Sequence, residues 1–284
     1  MKNFGILFNP NYQEKERIFK LLQDLHRSKN LEFFKIPEQS EFLPKFIKTI
    51  DNMEKSKIDC ILTFGGDGTF LRAINFSLKA NAPLLGINLG QLGFLSESNL
   101  KELEKSIDDL KNNKFKIQER MLLRVQIKRD GKQVFLASAL NDAVIHRGQA
   151  PKLIDIYISS NRRFVVETRC DGIIASTPTG STAYNLSAGG PIISPLMEAI
   201  VLTPLNPHVL TVRPMVFSAA DTIRFMIKQT QSECLLQMDG RNSYNLRNQD
   251  EVIVSSSPQK VKFIKLSNKT FFQILRKKFH LGQK

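Results

Sequence analysis

The fold is decided by the stretch Ile61-Leu62-Thr63-Phe64-Gly65-Gly66-Asp67-Gly68-Thr69-Phe70, in which an apolar run ends abruptly in three glycines around one carboxylate. The run at 58–64 predicts a buried strand, and Thr69 to Lys79 predicts a helix. Glycines let backbone N–H groups approach an anion closely, and the N-terminus of a helix adds a favourable dipole. The stretch therefore predicts a phosphate-binding turn between a strand and a helix.

Asp67 is the unusual residue of this turn, because a carboxylate repels the anion that the glycines would hold. We expect such a residue either to hold a metal or to take a proton during a reaction. A structural alternative stays open, in which the segment is only a tight turn and Asp67 is the N-cap of the helix. The glycine spacing fits neither the dinucleotide pattern G-x-G-x-x-G nor the loop G-x-x-x-x-G-K-[ST].

Strand and helix patterns alternate on both sides of this turn. Strands are predicted at 4–8, 31–36, 58–64 and 83–88, and helices at 12–27, 41–55, 69–79 and 99–112. A second glycine-rich loop, Leu89-Gly90-Gln91-Leu92-Gly93-Phe94-Leu95, follows the last of these strands. Since ligands of open parallel sheets bind at the carboxyl ends of the strands, the two glycine loops predict a crevice there.

Short strand patterns dominate the chain after residue 112. Hairpins are predicted from 122–128 with 134–139 and from 152–159 with 163–168, and further strands at 208–213, 221–229, 233–238, 251–255 and 261–266. This succession predicts an all-β, sandwich-like domain. The tail from Thr270 to Phe279 predicts an amphipathic helix that docks on the first domain, which we favour over a membrane anchor. The fold class is thus an α/β domain at 1–113, a β-rich domain at 114–267 and a returning helix at 268–284.

Composition restricts the class of protein. The 284 residues carry a formal net charge of +14, but the lysines and arginines are spread over the chain and show no aromatic-interleaved basic motif, so we expect no nucleic-acid partner. No apolar run is long enough to span a bilayer, and the first residues lack a signal-peptide pattern. Three widely spaced cysteines in apolar stretches indicate a reducing compartment. We therefore expect a cytoplasmic protein with no membrane partner.

The second domain carries its own polar constellation. Asn141-Asp142 places an amide beside a carboxylate at a strand start, a pair suited to a base edge and a ribose diol, although a turn would use the same residues. The segment 169–191 is rich in serine, threonine and glycine and has neither an apolar period nor a charge run. Hydroxyls and close backbone of this kind suit a ligand with several ribose and amide groups.

These motifs together resemble those of the NAD kinase family. The match comprises Gly65 to Thr69, Leu89 to Leu95, Asn141-Asp142, Thr177 to Tyr184 with Leu186 to Pro191, Thr203-Pro204 and Arg213-Pro214, in the family's order over nearly the whole length. The first motif is shared with phosphofructokinases and lipid kinases, whereas the serine- and threonine-rich segment is highly specific. The resemblance implies phosphorylation of the adenosine 2′-hydroxyl of NAD, giving NADP, with ATP or inorganic polyphosphate as donor and a divalent cation, magnesium or manganese.

The resemblance also implies roles for particular residues. Asp67 would be the catalytic base, and no residue is assigned as a metal ligand. The nucleotide- and dinucleotide-binding residues would be Asp67, Gly68, Arg72, Asn141, Asp142, Lys152, Arg169, Asp171, Thr182, Ala183, Tyr184, Asn185, Leu186, Ser187 and Arg241. Arg241 stands where the family often has an amide, so its contact is open. Asp142 stands where many members have glutamate, and we expect its role to survive.

Two other functions remain as alternatives at this level. A lipid kinase would share the first motif and tolerate the basic charge, but it would not require the serine- and threonine-rich segment. A non-enzymatic binding module would bind NAD or nucleic acid without needing Asp67 for turnover. The resemblance further implies a homo-oligomer, a dimer or a tetramer.

Overall fold

The structure of the chain is a computed structural model that describes residues 1–9, 11–37, 43–50, 57–90, 93–149, 152–229, 233–280 and 282. The side chains of Gln229 and Asn242 lie outside this description. Two compact units divide the chain. Unit 1 comprises Met1–Glu119 and Val261–Lys284, and unit 2 comprises Arg120–Lys260.

Unit 1 begins with alternating strands and helices. These are β1 (Asn3–Phe8), α1 (Lys15–Lys29), β2 (Glu32–Lys35), β3 (Ile47–Thr49), β4 (Cys60–Phe64), α2 (Asp67–Ala80), β5 (Leu84–Asn88), β6 (Ser96–Asn99) and α3 (Leu103–Lys111). The strands pair in parallel in the order β3-β2-β1-β4-β5, and β6 also pairs with β5. Every residue of β4 and β5 is buried, as expected for a parallel sheet that is covered on both faces.

Unit 2 consists of two antiparallel sheets with a common core. Its elements are β7 (Lys116–Arg129), β8 (Lys132–Ala139), β9 (Asp142–His146), β10 (Ile154–Ser160), β11 (Arg163–Cys170), β12 (Gly172–Ser176), α4 (Tyr184–Ser187), β13 (Ala199–Leu205), β14 (Met215–Ser218), β15 (Ile223–Gln229), β16 (Cys234–Met238), β17 (Arg241–Leu246) and β18 (Glu251–Lys265). One sheet has the order β14-β13-β12-β9-β16-β17, and the other contains β11-β10-β15 with the first residues of β18. Alternate residues of both sheets, such as Ile156 and Ile173, meet in one apolar cluster.

The chain then returns to unit 1. Phe263 of β18 pairs in parallel with Leu84 of β5, and the last helix is α5 (Phe271–Phe279). Helix α5 begins with a capping box, because Thr270 Oγ1 accepts the backbone N–H of Gln273 while Gln273 Oε1 accepts that of Thr270. The predicted fold class, a parallel α/β domain followed by a β-rich domain and a final helix, is confirmed.

Two predicted elements are wrong in the described residues. The helix predicted at 41–55 overlaps β3, where Ile47 pairs with Phe33 and is buried at the edge of the sheet; residues 41, 42 and 51–55 lie outside the described residues. The strand predicted at 208–213 is a turn, in which Val212 N–H donates to the carbonyl of Val209. The alternation of apolar residues was misleading there, since Leu210 is 79% exposed. The strands predicted at 251–255 and 261–266 are one continuous strand, β18.

Candidate active site

The glycine turn lies between β4 and α2, as predicted. Gly66 is the N-cap of α2, with its carbonyl accepting the N–H groups of Thr69 and Phe70, and Asp67 is the first helical residue. The alternative in which Asp67 caps the helix is therefore wrong. Gly66 and Gly68 are exposed, and, apart from their chain neighbours and the backbone of α2, no atom of the described residues lies within 4 Å of where a Cβ would stand on either glycine. An exposed turn with two glycines at the N-terminus of a helix suits an anion.

The carboxylate of Asp67 joins the two glycine loops. Its Oδ2 accepts the backbone N–H of Phe94 at 2.9 Å, and its Oδ1 accepts that of Leu95 at 3.1 Å. A Cβ on Gly93 would overlap this carboxylate, so only glycine allows the loop to lie so close. The Asp67 side chain remains 31% exposed and can therefore still meet a ligand.

The two glycine loops meet at the carboxyl ends of the strands within unit 1, where the sequence predicts a crevice. The turn after β4 contacts the loop after β5 through Asp67, although Gln91 and Leu92 lie outside the described residues. Arg72 lies on the next turn of α2, and its Nη1 donates to the carbonyl of Phe8, at the carboxyl end of β1, over a long distance of 3.5 Å. The guanidinium is therefore at the same end of the sheet.

The Asn141-Asp142 pair of unit 2 is held by a carboxylate that sequence reasoning missed. Asp239 accepts the backbone N–H groups of Leu140, Asn141 and Asp142 at 2.9, 2.7 and 3.1 Å, and its own N–H donates to the carbonyl of Asp142 at 3.0 Å. The signal in the sequence was Asp239-Gly240, because aspartate before glycine marks a turn. Both residues have positive φ, 49° and 67°. This turn fixes where the predicted ligand pair stands.

Burial changes the titration of this carboxylate pair. Asp142 is 4% exposed, and burial, together with the nearby charge of Asp239, raises its pKa to about 7. Burial also raises the pKa of Asp239, while the backbone N–H bonds from residues 140–142 and the charge of Arg241 oppose that rise. Arg241, whose role was open, therefore lies close enough to Asp239 to stabilise its ionised form.

The serine- and threonine-rich segment uses much of its hydrogen-bonding capacity to hold its own shape. Thr177 Oγ1 donates to the carbonyl of Leu140, and Ser181 Oγ donates to the carbonyl of Pro178 while accepting the N–H of Ile193. Asn185 is fully buried and donates to two carbonyls, at Ser181 and Pro191, while its Oδ1 accepts from Thr203. The polar residues of the segment are predicted to face a ligand, but Thr177, Ser181 and Asn185 instead hold the loop in shape.

The remaining predicted residues of this segment differ in their exposure. Thr182, Ala183 and Leu186 are half-buried, whereas Tyr184 and Ser187 are exposed. Thr177 N–H donates to the carbonyl of Asn141, and a Cβ on Gly180 would overlap the backbone of Asn141. The start of the segment, at Thr177 and Gly180, is therefore packed against the backbone of Asn141 in unit 2.

Ion pairs hold two further predicted binding residues, Arg169 and Asp171. Arg169 makes a bidentate pair with Asp155, at 2.8 and 2.9 Å, and the exposed Lys152 lies two residues before β10. Asp171 accepts from Arg147 Nε at 2.5 Å and from Asn206 Nδ2 at 2.8 Å. The bond from Asn206, followed by that from Arg147, lowers the pKa of Asp171 and keeps it ionised. Sequence reasoning did not find Arg147 or Asn206 as partners.

Comparisons with known proteins agree with this architecture. The ATP-NAD kinase N-terminal domain matches residues 4–115, and the ATP-NAD kinase C-terminal domain matches residues 140–266. The NAD kinase of Carboxydothermus hydrogenoformans is 37% identical over 222 residues, which cover 78% of this chain and 79% of that protein. The chain belongs to the ATP-NAD kinase family. The resemblance inferred from the motifs is confirmed, and this family member is a phosphotransferase.

Solved structures place the fold in the same family. Yeast NADH kinase in complex with NADH superimposes with a TM-score of 0.89 at 26% identity, over 100% of this chain and 89% of that chain. An NAD kinase from Archaeoglobus fulgidus in complex with ATP superimposes with a TM-score of 0.73 at 23% identity, over 98% of both chains, and so shares the fold. In this NAD kinase family member the glycine turn lies in the N-terminal match, and Asn141 to Arg241 lie in the C-terminal match.

A metal site built by the protein alone needs several His, Cys, Asp or Glu side chains close together. Within the described residues, no three His, Cys, Asp or Glu side chains cluster as a protein-built metal site requires. Magnesium in kinases is commonly held by substrate phosphates and one or two carboxylates, which is compatible with the single Asp67 at the glycine turn. No helix in the described ranges has the length and apolar character needed to cross a membrane.

Proposed function

We propose that this NAD kinase family member transfers the γ-phosphoryl group of ATP to the adenosine 2′-hydroxyl of NAD, with Asp67 as the base. The observation that carries the proposal is the position of Asp67, a one-third exposed carboxylate at the N-terminus of α2 held by the N–H groups of Phe94 and Leu95. The 2′-oxygen attacks the γ-phosphorus, the bond to the bridging oxygen breaks, and ADP leaves. The hydroxyl proton goes to the Asp67 carboxylate.

The protein contributes positioning and charge rather than covalent chemistry. The exposed glycines beside Asp67 leave room for phosphate oxygens, and Arg72 lies one helical turn further on, at the same end of the sheet. A divalent cation, magnesium or manganese, would arrive with the phosphates of the donor and neutralise their charge. Inorganic polyphosphate offers the same phosphate chain and is the alternative donor.

Unit 2 would supply the dinucleotide site. We assign Asn141 and Asp142 to the adenosine half, and the half-buried or exposed residues Thr182, Ala183, Tyr184, Leu186 and Ser187 with Asp171 to the rest of the dinucleotide. Lys152, Arg169 and Arg241 would add positive charge near it. Asn185, which is buried and hydrogen-bonded, supports the site from within. The anchoring of Asn141 and Asp142 by Asp239 supports this assignment, because a rigid pair loses little entropy on binding.

The test is production of NADP by the purified protein. We expect NADP from NAD, magnesium and one of the two donors, ATP or polyphosphate, measured with a coupled NADP-specific dehydrogenase. Asp67→Asn should still bind NAD but turn over about 10² to 10⁴ times more slowly, since that is the usual contribution of a general base. Parent-like turnover by this variant would refute the assignment of the base. Phosphorylation of lipid vesicles without NADP formation would favour a lipid kinase instead.

Two further expectations concern the cell and the assembly. All three cysteines are buried and unpaired, which supports a place in the reducing cytoplasm.

Several large apolar side chains of unit 2 are exposed, among them Leu196 at 64%, Met197 at 54% and Leu210 at 79%. Exposed apolar groups of this kind support a homo-oligomer. We expect a dimer or a tetramer, which light scattering of the purified protein would measure.

A further inference from the structure

Helix α5 brings a cation to the carboxylate of the glycine turn. Lys278 lies in its last turn, with Nζ 3.9 Å from Asp67 Oδ2 and 4.2 Å from the centre of the Phe94 ring. The lysine side chain is one-third exposed, as is the carboxylate that it faces, so this corner of unit 1 remains open to a substrate. Lys278 is therefore a partner of Asp67 that the sequence motifs did not indicate.

The position of Lys278 is set by the packing of the helix that carries it. Thr270 and Gln273 cap the start of α5, Leu275 is buried, and the ring of Phe279 lies 5.6 Å from that of Phe94. Phe94 thus contacts the helix through its ring and Asp67 through its backbone N–H. One residue of the second glycine loop links α5 to the carboxylate.

We propose that Lys278 is a positioning residue for Asp67, a proposal that rests on the role of Asp67 as the base given above. The backbone N–H groups of Phe94 and Leu95 each hold one oxygen of the carboxylate, and Lys278 approaches Oδ2 from α5. Two backbone hydrogen bonds and one nearby cation restrict rotation of the carboxylate. A restricted base meets the substrate hydroxyl in one orientation, which raises the rate of proton transfer.

Lys278→Met tests this role, because methionine retains the apolar stem and removes the charge. We expect kcat to fall about twofold to fivefold, the range for a partly exposed ion pair, with the KM values for NAD and donor unchanged. Lys278→Arg restores a cation on the same helix position and should recover most of the lost kcat. Lys277→Met, which removes one charge from the neighbouring position of α5, is the matched control and should turn over at the parent rate.

A double variant separates an effect through Asp67 from any other effect. If Lys278 acts by positioning the base, Lys278→Met should lower NADP formation no further in an Asp67→Asn background. An equal loss in both backgrounds, or parent-like kcat in Lys278→Met itself, would overturn the proposal. Melting temperature and NAD affinity, measured for every variant, show whether a loss of kcat reflects unfolding. If Lys278→Met is partly unfolded, recovery of kcat in a folded Lys278→Arg supports the proposal, and no recovery overturns it. Asp67→Asn by itself tests whether Asp67 is the base. Failure of that assignment can therefore be told apart from failure of the role proposed for Lys278.

Discussion

Asp239 and Asp142 are joined by two hydrogen bonds: a carboxylate oxygen of Asp239 accepts the N–H of Asp142 at 3.1 Å, and the N–H of Asp239 donates to the carbonyl of Asp142 at 3.0 Å. The same carboxylate accepts two further N–H groups, from Leu140 and Asn141. One side chain at the β16–β17 turn therefore fixes the backbone of the predicted dinucleotide-binding pair.

Asp239→Asn tests this anchoring role. Asparagine keeps the size of the side chain but replaces one acceptor oxygen with an N–H₂ group, which would face backbone donors. We expect a loss of about 1 to 3 kcal/mol in the unfolding free energy, the cost of unsatisfied buried groups, together with weaker NAD binding. Urea unfolding and calorimetric titration with NAD measure the two effects. Asp130→Asn, in the exposed β7–β8 turn, is the control, and parent-like stability of Asp239→Asn would contradict the prediction.

The pH dependence of stability should report on Asp142. Its pKa is raised from 3.8 to about 7 by burial and by the charge of Asp239, so the folded state binds more protons than the unfolded state between about pH 4 and pH 7. The unfolding free energy contributed by this group therefore falls as pH rises through that window and is constant above it. Asp142→Asn removes this dependence.

The pH dependence is measured as the difference in unfolding free energy between Asp142→Asn and the parent protein. We expect the unfolding free energy of the variant, relative to the parent, to increase by about 2 to 3 kcal/mol from pH 5 to pH 8. Asp155→Asn is the control of opposite sign, because the hydrogen bond from Arg169 lowers the pKa of Asp155, and its stabilisation is lost only as pH falls below about 4. A constant difference for Asp142→Asn across pH 5 to 8 would show that Asp142 titrates normally.

Gly93 should be required for the geometry of Asp67. A Cβ at this position would overlap the carboxylate, so Gly93→Ala must displace either the base or the loop that holds it. We expect kcat for NADP formation to fall about tenfold to hundredfold, since displacement of a catalytic group by about 1 Å has costs of that order. Gly90 lies in the same loop, and apart from its chain neighbours no described residue comes within 4 Å of a Cβ there, so Gly90→Ala should lower kcat far less. Equal kcat values for the two variants would contradict this explanation.

Most of unit 1 could be predicted because its strands are continuous apolar runs and its turn is rich in glycine. The helix predicted over 41–55 failed where Ile47 completes the edge of the sheet, since pairing with β2 outweighed the local helical pattern. The strand predicted at 208–213 failed for the opposite reason, because no neighbouring strand buries Leu210 in the described structure. The domain bounds 1–113, 114–267 and 268–284 stay predictions.

The sequence by itself determined the α/β and β-rich classes, the glycine turn with Asp67 and the family, because these depend on local spacing and on residue types that few other arrangements need. Only the tertiary structure decided which groups hold the functional side chains. Asp239 beneath Asn141 and Asp142, Arg147 and Asn206 on Asp171, and Lys278 beside Asp67 are contacts between residues far apart in the chain. These residue pairs show no regular spacing in the sequence. Only the folded backbone brings the two members of each pair close together.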